Sequence, residues 1–361
     1  MSMDSTRSKG GRSAWLHCLG MAAVAAGSLL AAAPSFAQST IADLAKYEGA
    51  DRMEKLVAGA KQEGTLTVYT SAPVDDMTAL TDAFTAKYGI KVEIWRGSSE
   101  DVLQRGVTET KAGRYTADVF ETNGPELEAL TRENVLQPIS SPTFKQMLPE
   151  AVSPHHGWVG TRLNVITSAF NTNLVDAASA PKKWTDFLDP QWKGKLGVEA
   201  SDSDWMAAVI KRFPSEQEGI DFFRKLSETN GLSVRSGHTL LTNLVASGEV
   251  PLSMTVYQYK AEQLKQDGAP VDSFGISPIP SRVNGIGISS HATHPNAALL
   301  FYEFELTDAQ AILAKRGFTP TNVALFPLPE GVRLDVIDSK IVLDEGKKWQ
   351  DLFDQIVLQK K

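Results

Sequence analysis

The sequence predicts an α/β protein of two lobes facing a cleft. Three observations lead there. Short β-type runs alternate with amphipathic helical stretches, two proline-bearing connectors interrupt the alternation, and 361 residues exceed the ~100–200 of an ordinary domain. With 36 Lys+Arg against 43 Asp+Glu, 42% hydrophobic residues and one cysteine, the chain is neither disordered nor disulfide-built. A net charge of −7 argues against general nucleic-acid binding.

Residues 1–37 read as a cleaved secretory signal. Arg7, Lys9 and Arg12 precede an apolar run from Leu19 to Ala33, and Ser35-Phe36-Ala37 supplies small residues at the cleavage positions. Cys18 stands at the start of that run, which argues against a lipid-modified N-terminus. The expected mature chain carries 33 Lys+Arg against 42 Asp+Glu, a net −9, and no cysteine. Cysteine-based zinc sites and thiol nucleophiles are thereby excluded.

Leu66–Tyr69 is the first strand, followed by a helix with Met77, Leu80, Phe84 and Tyr88 on one face and Gly89 as its stop. Ile90–Trp95 is the second strand, and Arg96-Gly97-Ser98-Ser99 leads into a helix with Glu100 and Asp101 in its first turn. A third strand, Asp118–Phe120, ends at Glu121-Thr122-Asn123-Gly124. Pro138–Pro154 is the first connector, followed by a long β run from Trp158 to Phe170. Trp184–Gly197 reads as helix, turn and strand; Ser203–Phe213, Glu216–Thr229 and Thr239–Ala246 read as helices, and Pro251–Val256 as a buried strand. Ser277–Ser281 is the return connector, followed by helices at Asn296–Glu305, Thr307–Lys315 and Lys347–Leu358. Ligands in open α/β sheets gather at the carboxyl ends of the strands.

From about Gly64 onward the chain resembles the periplasmic substrate-binding proteins of ABC importers, in the subgroup of solute-binding family 1 that includes ferric-ion-binding proteins. The resemblance rests on Leu66-Thr67-Val68-Tyr69, Tyr88-Gly89-Ile90-Lys91-Val92, Ala117-Asp118-Val119-Phe120, Trp192-Lys193-Gly194-Lys195 and Gly248-Glu249-Val250-Pro251. It implies the type II periplasmic binding fold, two lobes each a mixed sheet flanked by helices and joined by a two-strand hinge, in a monomer that closes on its ligand, and no catalysis or cofactor. The N-terminal lobe is then 38–145 plus 285–335, and the C-terminal lobe 146–284 plus 336–361. The implied partners are the permease and ATPase subunits of an inner-membrane transporter.

The ferric subgroup holds its metal through a histidine, a glutamate and two adjacent tyrosines. These positions fall here at Pro73, Asn123, Gln258 and Tyr259, with Tyr257 just before. Fe(III) prefers anionic oxygen donors, so most of that ligand set is missing. Tyr257 and Tyr259 share a face if extended and diverge if a helix starts between them. A two-tyrosine ferric site is the alternative in the first case.

An organic ligand with an anionic group suits the remaining loops better. Ser71 and Ala72, Ser98, Asn123 and Ser236 stand before helices or at strand ends, where free N–H groups favour anions. Arg96 and Arg162 offer guanidinium forks, and Tyr257 and Tyr259 offer flat walls. The plainer reading is that the serines cap their helices and Arg96 is a solvated charge. If Asp202 points inward opposite Arg96, the pair suits a zwitterion such as an amino acid or aminophosphonate. A hydrolase is the rival class, but the six histidines form no recognisable triad or metal pattern and no G-x-S-x-G occurs.

Overall fold

In the computed structural model, residues 40–328 and 330–359 are described; the expected signal lies outside them. Twelve strands follow in chain order: β1 Thr65–Thr70, β2 Lys91–Arg96, β3 Val119–Asn123, β4 Leu136–Gln137, β5 Val159–Asn171, β6 Leu196–Glu199, β7 Ser233–Arg235, β8 Leu252–Tyr257, β9 Val271–Phe274, β10 Ile279–Ser289, β11 Thr319–Pro320 and β12 Leu334–Val336. Their order is β2-β1-β3-β10-β5-β8-β6-β7, with β4 and β12 on β10, and β9 and β11 on β5. β1, β2 and β3 pair in parallel, β3–β10–β5–β8 antiparallel, and β8–β6–β7 in parallel.

β5 explains the two-lobed form. All thirteen residues of this strand are buried. Its first half pairs with β10 and β11, its second with β8 and β9. A strand covered on both faces reads as a near-continuous apolar or small-residue run, and Val159–Asn171 does so apart from Arg162 and the Asn residues. Between β9 and β10 the chain returns through residues 275–278, where Ser277–Pro278 is cis. The return crossing thus falls where expected, although it continues into a strand of eleven residues. The expected first connector, residues 138–154, instead packs Ile139 and Met147 into the core around β1, and β5 itself makes that crossing.

One core packs Leu66, Val68, Met77, Leu80 and Phe84 against helix Pro295–Leu306. A second gathers Phe170, Val198, Trp205, Phe223 and Phe353. Trp205 is 1% exposed and belongs to this core. Trp95 packs on Tyr69, with its ring centroid at 5.0 Å, and beneath Arg105. Among the described residues no helix is long and apolar enough to cross a membrane.

Sequence and structure agree closely on the helix Val74–Tyr88, which stops at Gly89 with φ 75°, and on Glu216–Thr229. The last helix starts eight residues earlier than its apolar periodicity suggests, at Ser339, where Asp338 caps the amides of Lys340 and Ile341. The helices Arg52–Glu63, Gly124–Arg132 and Gln258–Gln266 were not read from the sequence.

At Gly285 the register of β10 against β5 shifts, and a Cβ there would stand 2.2 Å from the Val159 carbonyl oxygen. Backbone cannot yield as a side-chain tip can. Gly285→Ala should therefore lower stability by about 1–3 kcal/mol, read as a fall in urea midpoint; an unchanged midpoint would contradict this close approach.

Candidate functional site

A cleft of about 660 Å³ opens where the carboxyl ends of β1, β2 and β3 face those of β6 and β8. Of the ten residues expected in the site, it brings together eight: Ser71, Ala72, Arg96, Ser98, Asn123, Arg162, Tyr257 and Tyr259. Strand ends gather them because residues that leave a sheet at one edge share one mouth.

Asp202 and Ser236 are corrections. Asp202 is fully buried and does not line the cleft; its Oδ1 accepts from Arg282 Nη2 at 3.2 Å and lies 3.2 Å from His238 Nε2. His238 and Arg282 overcome the effect of burial and hold its carboxyl below the usual range. A carboxylate with those partners would be stranded if it turned toward a ligand. Ser236 is exposed, and the cleft is lined instead by Gly237, His238 and Thr239. Gly237, with φ 99°, occupies the N-cap of helix His238–Ser247, so Ser236 does not cap it.

Ser98 lines the cleft but serves its own helix. Its hydroxyl accepts from Asp101 N–H and donates to Asp101 Oδ2, completing a capping box. Ser71 Oγ lies 3.0 Å from Thr122 Oγ1. Asn123 Nδ2 donates to Ser99 Oγ at 2.8 Å, and Asn284 Nδ2 donates to Asn123 Oδ1.

The site also contains an arginine that sequence reasoning missed. Arg282 donates through Nε to Asp204 Oδ2 at 2.8 Å, through Nη2 to Asp204 Oδ1, and through Nη1 to the Tyr257 hydroxyl at 2.7 Å. Burial alone would make this guanidinium easier to deprotonate, but Asp204, Tyr257 and Asp202 outweigh it and hold the group firmly charged. A signal for it was present. Arg162-Leu163-Asn164 in β5 and Arg282-Val283-Asn284 in β10 are matching Arg-x-Asn triplets, each with both polar residues on one face. The antiparallel register sets Arg162 opposite Asn284 and Asn164 opposite Arg282, and all four line the cleft.

Arg162 forms the floor. It pairs with Glu121 and lies 5.1 Å from the Phe318 ring centroid. Two of the cleft's guanidiniums are thus neutralised by carboxylates of the protein. Arg96 is the exception: it is exposed, and its hydrogen bond runs from Nε to the Ala72 carbonyl at 3.3 Å.

An aromatic row forms one wall. His238 stacks on Tyr257 at 3.8 Å, Tyr257 on Tyr259 at 5.9 Å, and Tyr259 on Phe318 at 4.1 Å. A helix does begin between the tyrosines, at Gln258, yet their rings lie side by side with planes 22° apart. Tyr257 ends the strand with extended backbone, so the chain bends between the two and the expected divergence does not occur. Burial pushes the Tyr259 phenol up to about 12 and Tyr257 further. Both are neutral near pH 7.

Glu199, Asp202 and His238 place possible metal-ligand atoms within 4.8 Å of one another. Glu199 already accepts from the N–H groups of Gly237 and Ser201 and from Ser201 Oγ, and Asp202 from Arg282. Asp202 thus already has a cationic partner in Arg282.

The family model for bacterial extracellular solute-binding proteins matches residues 64–312. This chain belongs to that family. The solute-binding protein is 24% identical over 294 residues to iron uptake protein A1 of Synechocystis sp., covering 76% of this chain and 79% of the relative. It is 28% identical over 216 residues to a putative 2-aminoethylphosphonate-binding periplasmic protein of Salmonella typhimurium, covering 57% of this chain and 61% of the relative. Among solved structures, the periplasmic binding protein AfuA from Actinobacillus pleuropneumoniae, with exogenous fructose-6-phosphate bound, superposes with TM-score 0.70 at 20% identity over 82% of this chain and all of that one. The solute-binding protein thus has the type II periplasmic binding fold. Pro73, Asn123 and Tyr259, which the resemblance matched to ferric ligands, do line the cleft, but only the tyrosine offers a donor that can become anionic.

Proposed function

We propose that this protein is the periplasmic solute-binding component of an ABC importer, and that it captures a small polar organic ligand bearing an anionic group. The lobes are divided as 38–145 plus 285–335 and 146–284 plus 336–361, with the ligand between them. The observation that carries the anionic reading is Arg96, a guanidinium facing the cleft without a carboxylate partner of its own. Hydroxyl and amide groups of Ser71 and Asn123 stand near it, and the row from Tyr257 to Phe318 gives a flat wall against which a ligand can be held. Ligand bound to one lobe gains contacts with the other and shifts the hinge toward closure, the form that permease and ATPase partners would recognise. Because a ligand that binds only the native state raises its stability, a thermal-shift screen of residues 38–361 against small carboxylates, phosphonates and sugar phosphates tests the proposal. A rise with none of them would overturn it. Arg96→Ala should weaken the best anionic hit by about tenfold or more while leaving the apo unfolding temperature nearly unchanged, since Arg96 is exposed; unaltered affinity in calorimetry would remove it from the site.

Ferric iron is the second reading, favoured by the paired rings of Tyr257 and Tyr259. The Tyr257 hydroxyl already accepts from Arg282, and a cationic neighbour opposes Fe(III). Iron with a synergistic anion belongs in the same screen. A visible phenolate-to-iron absorption band that vanishes in Tyr259→Phe would establish this reading over the first.

A further inference from the structure

Outside the cation described above, the carboxylates of the cleft differ sharply in how far they are committed. Both oxygens of Asp204 hold Arg282. Both oxygens of Glu199 accept backbone N–H groups of its own lobe. Glu100 accepts from Gln104 Nε2 and is exposed. Glu126 stands apart: it lines the cleft, and its Oε2 is buried without a hydrogen-bond partner. It sits in the first turn of helix Gly124–Arg132, where the helix dipole favours a negative charge. Burial nevertheless pushes its carboxyl up to about 7, against a hydrogen bond from its own backbone N–H and the pull of Arg282, with Asp204 and Glu100 adding to the rise. A carboxylate oxygen held dry and unpartnered at a binding surface carries a desolvation cost that a cationic or hydrogen-bond-donating guest would offset.

From this geometry we infer that Glu126 is the subsite for a positively charged amine of the ligand, so that the cleft selects a zwitterion whose anion meets Arg96 and whose ammonium meets Glu126. This rests on the anionic reading proposed above and deepens it. It also replaces Asp202, the acid first expected opposite Arg96, with a residue that faces the cleft. An ammonium placed on Oε2 supplies the missing partner, and the charge-assisted hydrogen bond stabilises the ionised carboxylate. A ligand without the amine leaves that oxygen dry and unpaired, and such a missing polar partner is what gives a site strong discrimination.

The test uses matched probes, 2-aminoethylphosphonate against ethylphosphonate and β-alanine against propionate, titrated calorimetrically into residues 38–361. Wild-type protein should favour the amino member of at least one pair by about tenfold or more. Glu126→Gln, nearly isosteric but unable to ionise, should narrow that ratio to about twofold. Arg96→Ala should weaken both members of the pair alike. If the Gln variant does not fold, Glu126→Asp, which withdraws the charge by one methylene, should narrow the ratio as well. Equal binding of both members by wild type would overturn the amine subsite and leave the anionic reading standing, as would a preference that survives at Glu126→Gln. Failure of all four probes to bind at millimolar concentration would count against both.

Discussion

Arg282→Ala should lower the free energy of unfolding by about 3–5 kcal/mol, measured by urea denaturation near pH 7. The guanidinium is 8% exposed and is the shared counter-charge of Asp204 and Asp202. Asp202 itself has no exposure, and its Oδ2 is already without a hydrogen-bond partner. Removing the arginine leaves both carboxylates desolvated without their guanidinium, Asp202 with His238 beside it and Asp204 with the Trp205 N–H, and an orphaned buried charge costs far more than an intact pair contributes. The mechanism predicts its own control. Asp204→Asn made together with Arg282→Ala should destabilise by less than the sum of the two single changes, because the second substitution removes a charge the first has orphaned. A single-variant loss below about 1 kcal/mol, the range of exposed pairs, would show that the cluster is solvated in solution.

A second large effect should appear in the pH dependence of stability. Glu305 is fully buried, neither of its carboxylate oxygens has a hydrogen-bond partner, and burial together with the neighbouring Glu121 pushes its carboxyl up to about 8 against some relief from Arg162. One guanidinium thus stands near two acids, and Glu121 holds it. Below the unfolded value, 4.5, the residue is protonated in both states and contributes no slope. Between 4.5 and about 8 the unfolded chain has released the proton and the folded one keeps it, so stability falls as pH rises. Above about 8 both states are ionised and the slope from this group ends. Glu126 acts in the same direction up to about 7. Glu305→Gln, a neutral mimic of the protonated side chain, should match wild type near pH 4.5 and exceed it by a few kcal/mol near pH 8, on the order of 1.4 kcal/mol for each unit of displaced pKa. Parallel stability curves for the two proteins would show that Glu305 is ionised throughout.

The fold was largely legible in the sequence because its elements advertise themselves locally. Met77, Leu80 and Phe84 repeat at helical spacing before Gly89, and all three are core; the buried run of β5 is long enough to show that both faces are covered. The elements that escaped notice lack such signals. Gln258–Gln266 is a polar helix with two buried residues, Tyr259 and Ala261, and Gly124–Arg132 opens with Gly-Pro, which reads as a turn. The site was legible as a place more than as a chemistry. Strand ends nominate the right loops, but whether a loop acid faces the ligand or the interior depends on partners distant in the chain. Asp202 and Asp204 both turn to Arg282, some 80 residues away, and Glu126 lines the cleft with its Oε2 left without a hydrogen-bond partner. The matching Arg-x-Asn triplets were the one long-range cue, and the two prolines just before Arg282 made that stretch resemble a connector.

The sharing of β5 between both sheets has a consequence for how the molecule comes apart. Peeling β8 and β9 away would bare residues 166–171 of β5 while β10 and β11 still held its first half, and neither lobe can give up the strand and stay closed. Two lobes that share this strand are therefore not separate in unfolding. The slowest-exchanging amides should form a single band through the centre of the sheet order, with the cooperative unit spanning the boundary that function divides.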